Sequence, residues 1–255
     1  MESKKIVGIV GGVGPAASNK FCELLIKNKK ASIDQENIPF IHYCNPQISD
    51  RTDYALHGGE NPIPEIIQTC NKLKHIGADF LIIPCNTAHL FLQEIQESVD
   101  IPIIDMIKLL VNRVKKDNPS IKKIGILGTS ATVKLKLYER YFNLVGIKTI
   151  VPNDSDQEKL VMKGIYSVKA GKNLFPKKLL KKAAENLIKK GAEGIVLGCT
   201  EIPLVLNQKD FNITLYDPMD ITAKEIILYL NSLENLSASP YSSDLNGIIK
   251  EVINI

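Results

Sequence analysis

No apolar run in the sequence approaches the roughly 20 residues that a membrane-spanning helix needs. The lysine-rich N-terminus leads into a strand pattern rather than into a signal peptide, so we expect a cytoplasmic protein with no membrane partner. The net charge is only +4, and the lysines are spread over helical stretches instead of being gathered beside aromatic residues. Lysines in that distribution form solvated helix faces, which argues against nucleic acid as a partner.

The cysteines lack the regular spacing of a disulfide framework. Their number is five, which is odd, and no CxxC pair occurs, so we expect reduced thiols. Cys85 and His89 would share a helix face, with His42 and Cys44 as further donors, but no second close pair has zinc spacing. A metal centre is therefore a minor alternative, and we expect no metal.

What the sequence does contain is an alternation of short β-rich runs with longer amphipathic stretches. Strands are predicted near residues 5–10, 39–43, 80–83, 101–104, 123–127, 148–151, 194–197 and 213–216. The intervals carry helical patterns, for example over residues 63–76 and 177–190. Alternating strands and helices predict an α/β protein whose parallel sheets are covered by helices on both faces.

The order of these elements repeats within the chain. Gly77-Ala78-Asp79, five residues and Cys85-Asn86-Thr87 are matched by Gly191-Ala192-Glu193, five residues and Cys199-Thr200-Glu201. Two further pairs of segments match at similar separations: 6–11 with 124–128 and 103–105 with 215–217. Buried parallel strands resemble one another, which could explain these two pairs, but the shared spacing to a cysteine favours a duplicated α/β domain.

The duplication predicts two pseudo-symmetric domains, each a mainly parallel sheet flanked by helices, with the active site in the interdomain cleft. We expect the first domain over residues 1–113, with a helix at 217–233 returning to it, and the second over residues 114–216. Residues 234–255 are expected to form a C-terminal linker and a short helix.

Each duplicated segment delivers a cysteine to the C-terminal end of a buried strand, where open α/β sheets bind their ligands. Cys85 and Cys199 are therefore the candidate catalytic residues, whereas Cys22 and Cys70 are interpreted as inert buried thiols. A thiol is a useful general base only as the thiolate, and the N-terminus of a following helix would favour that anion at both positions. Two thiols facing each other across a cleft suit a reaction that touches its substrate from opposite faces, such as racemisation.

The turn after the first strand, Gly12-Val13-Gly14-Pro15-Ala16-Ala17, satisfies the GxGxxA pattern of dinucleotide sites, and Asp34 lies 20 residues beyond Gly14. However, Pro15 removes an N–H group from the turn, and Asp34 precedes the next strand rather than ending it. The glycines are more consistent with close approach of the backbone to a small carboxylate. A nicotinamide-dependent oxidoreductase is the alternative.

Three segments resemble the signatures of the aspartate/glutamate racemase superfamily, and most closely those of its aspartate racemase branch. They are Gly11-Gly12-Val13-Gly14-Pro15, Pro84-Cys85-Asn86-Thr87-Ala88-His89 and Gly198-Cys199-Thr200-Glu201-Ile202-Pro203. The resemblance extends from about Lys4 to about Leu230. It implies a homodimer with two pseudo-symmetric domains and a reaction on a small amino acid that needs neither pyridoxal phosphate nor a metal, so no cofactor is expected.

Carried over by position, the resemblance makes Cys85 and Cys199 the pair that exchanges the α-proton on opposite faces of the amino acid. It implies that Asn86, Thr87 and Thr200 hold the α-carboxylate beside them.

The resemblance also implies that Arg51 and Lys169 meet the side-chain carboxylate of the substrate. Seen without the family, both could be ordinary surface charges, although the bidentate fork of arginine suits a carboxylate. Gly12 and Glu201 complete the expected substrate-binding set.

Departures from the family pattern bear on the substrate. Val13 and Ser18 replace residues that are more often methionine and threonine in the aspartate racemase branch. The glutamate racemase branch usually opens with an Asp-Ser turn and has histidine after the second Cys-Thr, whereas this chain has Gly11-Gly12 and Glu201. Aspartate is therefore favoured over glutamate. The alternatives are another isomerase or decarboxylase of a small carboxylic acid, and a non-catalytic amino-acid-binding protein on the same scaffold.

Overall fold

The structure is a computed structural model that describes residues 4–172 and 174–237. The strands are β1 (Val7–Gly11), β2 (Phe40–Cys44), β3 (Phe80–Ile82), β4 (Ile103–Ile104), β5 (Lys123–Gly128), β6 (Lys148–Ile150), β7 (Gly194–Gly198) and β8 (Thr214–Tyr216). The α-helices are α1 (Pro15–Lys29), α2 (Arg51–His57), α3 (Ile63–His75), α4 (Leu92–Glu97), α5 (Met106–Asp117), α6 (Ser130–Lys134), α7 (Leu137–Leu144), α8 (Asp154–Asp156), α9 (Lys163–Lys169), α10 (Leu174–Lys189) and α11 (Pro218–Ser237). A π-helical segment, Gln157–Met162, joins α8 to α9, and short 3-10 helices are formed by Asp34–Glu36, Thr87–Phe91, Ile202–Leu204 and Gln208–Asp210.

The strands form two parallel sheets with the same connectivity. The first sheet has the order β2-β1-β3-β4, and the second has the order β6-β5-β7-β8. Counted from its own first strand, the second sheet therefore repeats the 2-1-3-4 order of the first. The strand that precedes each candidate cysteine pairs with the first strand of its half, with Val7 opposite Phe80 and Gly125 opposite Ile195. The predicted architecture of two parallel sheets flanked by helices is confirmed.

Each predicted strand is present, although β4 is shorter than expected. It keeps only Ile103 and Ile104. Pro102 has no N–H group to donate to a ladder, so the strand begins after it. The carbonyl of Pro102 still accepts a hydrogen bond from Leu81 N at 2.8 Å.

Helices pack on both faces of each sheet, because the strands are apolar on both faces. In the first half, Val7 and Ile9 pack with α1 and α11, while Val10 packs with α3 and α4 on the opposite face. In the second half, Ile195 packs with α9 and α10, and Val196 packs with α5 and α7.

Two helices tie the halves together. In α5, Met106 and Leu109 lie in the core of the first sheet, whereas Leu110 and Val114 lie in the core of the second. α11 follows the second sheet and packs on the first, with Met219 buried there. The domain boundaries near residues 113 and 217 stay predictions, and the first of them falls inside α5.

The C-terminal linker was expected from residue 234, but α11 continues to Ser237. The remainder of the predicted linker and its terminal helix lies outside the described residues. Over residues 4–172 and 174–237, no helix combines the length and the apolar character that crossing a bilayer requires.

Candidate active site

A pocket is formed where the carboxyl ends of the two sheets meet. The chain leaves the two central strands of each sheet toward opposite edges: β1 leads to β2 and β3 to β4, and likewise β5 leads to β6 and β7 to β8. Open α/β sheets bind ligands at such topological switch points. The pocket has an empty volume of about 290 Å³, including its open mouth. Its lining combines residues of both halves: Val13, Asp50, Arg51, Thr52, Cys85, Asn86, Thr87, Thr129, Lys169, Cys199, Thr200 and Glu201.

Both candidate cysteines line this pocket and are 6% exposed. Cys85 follows β3 after a tight turn in which its N–H group donates to Ile83 O at 2.7 Å. Cys199 directly follows β7, whose five residues are all buried. The duplicated sequence therefore places two thiols at equivalent ends of two separate sheets.

His89 fixes the turn after Cys85. Its Nε2 accepts from Met106 N at 3.2 Å, which leaves Nδ1 protonated to donate to Cys85 O at 2.9 Å. Both ring nitrogens therefore form hydrogen bonds with backbone groups. Among the described residues, no group of three or more His, Cys, Asp or Glu side chains is placed to hold a metal ion.

The N-terminus of a helix that follows each cysteine was expected to favour its thiolate. The elements that follow are short 3-10 helices, Thr87–Phe91 and Ile202–Leu204, rather than α-helices. The poorer hydrogen-bond alignment and few residues of such helices give little macrodipole. The charges around the two thiols therefore come from side chains.

Cys199 lies beside a carboxylate. Its Sγ–H donates to Glu201 Oε2 at 2.9 Å, and Thr200 Oγ1 approaches the same oxygen at 3.5 Å. Burial, followed by the charge and hydrogen bond of Glu201, raises the pKa of the Cys199 thiol well above its ordinary value, although Lys169 opposes this.

Cys85 lies beside a guanidinium. Burial alone would lower the pKa of Arg51, but the neighbouring Cys85, Asp50 and Glu201 raise it above its ordinary value. Arg51 is 8% exposed, and its Nη1 donates to two backbone carbonyls, Ile48 O at 3.2 Å and Ser49 O at 2.9 Å. Its Nε, within the part of the chain that the structure describes, has no hydrogen-bond partner. The site thus contains a buried cation with an unused donor.

Asp50 brings the two cations of the site together. As the N-cap of α2, its Oδ1 accepts from Thr52 N at 2.7 Å and Asp53 N at 3.0 Å, while its Oδ2 lies 3.6 Å from Lys169 Nζ. Burial opposes ionisation, but the capping N–H groups and the charges of Lys169 and Arg51 hold the pKa of Asp50 below its ordinary value. Burial likewise tends to lower the pKa of Lys169, and the surrounding negative groups raise it.

Asn86 presents an unused amide donor to the pocket. Its Oδ1 accepts from Tyr138 OH at 2.6 Å, and both residues are 1% exposed. Of the polar atoms in the described ranges, Asn86 Nδ2 is one of the few that are buried without a partner. Since Tyr138 lies on α7 of the second half, this contact crosses between the halves.

Threonine hydroxyls form a second contact between the halves. Thr87 Oγ1 lies 3.0 Å from Thr129 Oγ1 and 3.4 Å from Thr132 Oγ1, and the latter two are 3.0 Å apart. Thr200 also lines the pocket and is 2% exposed. The predicted residues Asn86, Thr87 and Thr200 are therefore brought together with the cysteines.

Gly12 has a different position from the one expected. It is not among the lining residues, and its N–H group already donates to Ser18 Oγ at 3.3 Å. Its φ of +93° favours glycine, and a Cβ there would lie 2.0 Å from Asn45 O. Gly14 has a direct role at the pocket, because a Cβ there would lie 2.3 Å from Glu201 Oε1. As for the dinucleotide pattern, Asp34 lies in a 3-10 helix before β2, as the sequence indicates.

Sequence reasoning missed five neighbours of the site: Val13, Asp50, Thr52, Thr129 and Tyr138. Thr129 follows Gly128, the partner of Gly11 in the repeat, so the internal alignment could have found it. Asp50 precedes the helix pattern as an N-cap residue, which is also a readable signal. Val13 lies within the Gly11-Gly12-Val13-Gly14-Pro15 signature, and Thr52 follows Arg51 directly. Tyr138 carries no such signal.

Comparison with known proteins identifies the family to which the chain belongs. The model of the Asp/Glu/Hydantoin racemase family matches residues 10–226. The fold is similar to that of Picrophilus torridus aspartate racemase, with a TM-score of 0.79 and 31% identity over 88% of this chain and 93% of that chain. Among curated proteins, the glutamate racemase of Persephonella marina is 31% identical over 84% of this chain and 78% of its own length. The broad specificity amino-acid racemase RacX of Bacillus subtilis is 24% identical over 87% of this chain and 96% of its own length. The chain therefore belongs to the Asp/Glu/Hydantoin racemase family and is an enzyme of the amino-acid racemase superfamily.

Proposed function

We propose that the protein is a cofactor-independent racemase that interconverts L- and D-aspartate, with Cys85 and Cys199 as the two bases. The observation that carries the proposal is the placement of two buried thiols, one from each half, on a pocket that also contains buried cations and an unused amide donor. One thiol acts on each face of the substrate.

The cationic end of the pocket would bind the side-chain carboxylate. Arg51 offers an unpartnered Nε, and Lys169 lies close enough to Asp50 to form the other side of the same cluster. A buried guanidinium and an ammonium provide charge-assisted hydrogen bonds, which are the strong ones for a carboxylate.

The α-carboxylate would bind at the opposite end, beside the cysteines. Asn86 Nδ2 is free to donate there, and Thr87, Thr129 and Thr200 line the same pocket. When the α-proton leaves, negative charge spreads onto this carboxylate. Hydrogen-bond donors that are already in place stabilise that charge without the cost of reorganisation. This stabilisation takes the place of the electron sink that a cofactor would supply.

The reaction then needs two proton transfers. One cysteine, as the thiolate, takes the α-proton, and the C–H electron pair remains on the planar carbanion. The other cysteine, as the thiol, gives its proton to the far face, and a new C–H bond forms with the opposite configuration. Each turnover exchanges the protonation states of the two sulfurs, so the observed pKa values belong to the pair.

Aspartate is preferred over glutamate in this proposal for two reasons. The solved aspartate racemase with 31% identity is covered over 93% of its chain, whereas the glutamate racemase with the same identity is covered over 78% of its length. In addition, Glu201 stands where the glutamate racemase branch usually has histidine. Because the Bacillus subtilis relative is a broad specificity racemase, any test of substrate preference must include other amino acids.

The decisive experiment is incubation of L-aspartate with the pure protein in heavy water, without added cofactor. We expect D-aspartate that carries deuterium at Cα, measured by chiral chromatography and mass spectrometry. Glutamate and other amino acids are run in parallel. Binding of aspartate without entry of deuterium would refute the proposal and favour a non-catalytic binding protein.

Matched alanine variants assign the chemistry to the two thiols. Cys85→Ala and Cys199→Ala should each abolish racemisation, because either change removes the acid or base on one face. Cys22→Ala is the control, since that thiol is buried in α1, away from the pocket, and burial raises its pKa to about 11. Full activity in Cys85→Ala would contradict the two-base reaction.

A further inference from the structure

The two cysteines have matching sequence contexts but opposite electrostatic surroundings. The Sγ–H group of Cys199 donates a hydrogen bond to Glu201 Oε2 at 2.9 Å, and both side chains are buried. A thiolate at that position would place a second negative charge next to the carboxylate, at low effective dielectric constant. The contact therefore favours the protonated sulfur.

Cys85 faces the guanidinium of Arg51, which is itself buried. Arg51 thus places a cation beside Cys85, where Cys199 has the carboxylate of Glu201. The matching segments around the two cysteines do not reveal that the neighbouring charges are opposite. Arg51 comes from a separate helix of the first half, whereas Glu201 comes from the turn after Cys199.

Glu201 is held in place from both halves of the molecule. Thr200 Oγ1 approaches Oε2 in the second half, while Oε1 occupies the space where a side chain at Gly14 of the first half would begin. The carboxylate therefore fills a fitted position, and Gly14 is the residue that leaves room for it.

We infer that Glu201 is a positioning residue that keeps Cys199 as the thiol, so that the resting enzyme holds Cys85 as the base and Cys199 as the acid. This inference rests on the proposed function and assigns to Glu201 a role other than direct contact with the substrate. The resting enzyme accepts the enantiomer whose α-hydrogen faces Cys85.

The protons balance as follows within one turnover. Cys85 gains the α-proton and becomes a thiol, and Cys199 gives its proton to the carbanion and becomes a thiolate beside Glu201. Lys169 is a cation whose charge acts on Cys199 and opposes the effect of Glu201. The resting form returns when Cys199 takes a proton and Cys85 releases one, through solvent or through reaction of the opposite enantiomer.

The groups that face Cys199 define what a pH measurement reports. They are Glu201 on its own turn, Lys169 on α9 and Tyr138 on α7. Burial, with smaller effects of nearby acidic groups, raises the pKa of Tyr138 well above its ordinary value, so this tyrosine stays neutral through the accessible range. Changing Glu201 removes the carboxylate beside Cys199. Because Glu201 also raises the pKa of Lys169 and of Arg51, the reactivity of Cys85 has to be followed in the same experiment.

The test compares wild type with Glu201→Gln by measuring the rate of iodoacetamide alkylation at each cysteine, by mass spectrometry, from pH 6 to pH 10. Removing the carboxylate should lower the pH at which Cys199 becomes reactive by at least about one unit, which is about a tenfold gain in rate at a fixed pH below that midpoint. The alkylation of Cys85 should change much less. Glu158→Gln is the matched control, because Glu158 accepts from Ser130 Oγ at 2.8 Å and lies on the π-helical segment.

Steady-state kinetics provide a second readout that a merely structural role would not move. In Glu201→Gln the alkaline limb of kcat should shift to lower pH, because the acid of the pair loses its proton earlier. The KM for aspartate should change far less than kcat, whereas a substrate-binding role would raise KM. Gly14→Ala displaces the carboxylate without removing it, and it should lower the pH at which Cys199 becomes reactive in the same way. This variant replaces Glu201→Gln in the test if the glutamine variant does not fold.

Unchanged reactivity of Cys199 in both variants would overturn the inference. That outcome is separate from failure of the proposed function, because alkylation reports ionisation whether or not aspartate reacts. Racemisation by the wild type together with an unmoved Cys199 midpoint would leave the two-base reaction standing and remove only the role of Glu201.

Discussion

The hydrogen bond from Tyr138 to Asn86 should couple the stability of the protein to the orientation of a substrate-binding amide. The Tyr138 hydroxyl donates to Asn86 Oδ1 at 2.6 Å, and this bond leaves Asn86 Nδ2 as the free donor at the pocket. Tyr138→Phe removes the hydroxyl and keeps the ring, which packs on Phe142 with centroids 6.3 Å apart. The perturbation is therefore confined to one bond.

The expected loss of stability follows from the burial of both partners. An acceptor left buried without a donor costs about 1 to 3 kcal/mol. In a protein of this size each kcal/mol lowers Tm by roughly 2 to 4 °C. We therefore expect the Tyr138→Phe variant to melt roughly 2 to 12 °C below the wild type, measured by scanning calorimetry.

The same change should affect catalysis, because the amide is no longer held with Nδ2 toward the substrate. Full removal of one donor to a developing oxyanion costs about 10² to 10³ in rate, and a misoriented donor should cost less. We expect kcat/KM for aspartate to fall by about tenfold to a hundredfold, measured by chiral chromatography.

Tyr141→Phe is the matched control. Tyr141 lies on the same helix, α7, and its hydroxyl donates to Asp105 Oδ2 at 2.7 Å, away from the pocket lining. This variant should lose stability while keeping the wild-type kcat/KM. Equal kcat/KM in the two phenylalanine variants would refute the role assigned to Tyr138, and so would a Tyr138→Phe protein that is as stable as the wild type.

Two further outcomes are expected. Arg51→Lys removes the planar fork while keeping the charge, and losing one charge-assisted hydrogen bond of about 1.5 to 3 kcal/mol should weaken aspartate binding by about tenfold or more in calorimetric titration; unchanged affinity would contradict the assignment of Arg51 to the side-chain carboxylate. Burial raises the pKa of Asp217 from 3.8 to about 7, so the folded state holds its proton more tightly and the stability that this provides is lost as the pH rises toward 7. Asp217→Asn removes that titration, so the Tm of the variant relative to that of the wild type should increase between pH 4 and pH 7. A difference in Tm that stays constant over that range would exclude Asp217 as the source of the pH-dependent loss of stability.

Local sequence was sufficient to predict the strands and the cysteine positions. The apolar runs before Cys85 and Cys199 have few polar side chains, so they are stable only when buried, and parallel strands buried on both faces read as continuous apolar segments. The repeated Gly-Ala-acid spacing then indicated that the second sheet copies the first, as the identical strand orders confirm.

Tertiary structure decided what surrounds those cysteines. Glu201 is two residues from Cys199 and could be suspected from the sequence, but Arg51, which faces Cys85, is 34 residues away along the chain. Likewise, the hydroxyl of Tyr138 meets Asn86 across the two halves. No short-range periodicity encodes such contacts.

The sequence by itself determined that two buried strands each end in a thiol, because strand formation and burial depend on the apolar pattern of neighbouring residues. Only the tertiary structure decided that one thiol lies beside a guanidinium and the other beside a carboxylate. Electrostatic energy depends on distance through space, and the packing of the two sheets sets those distances.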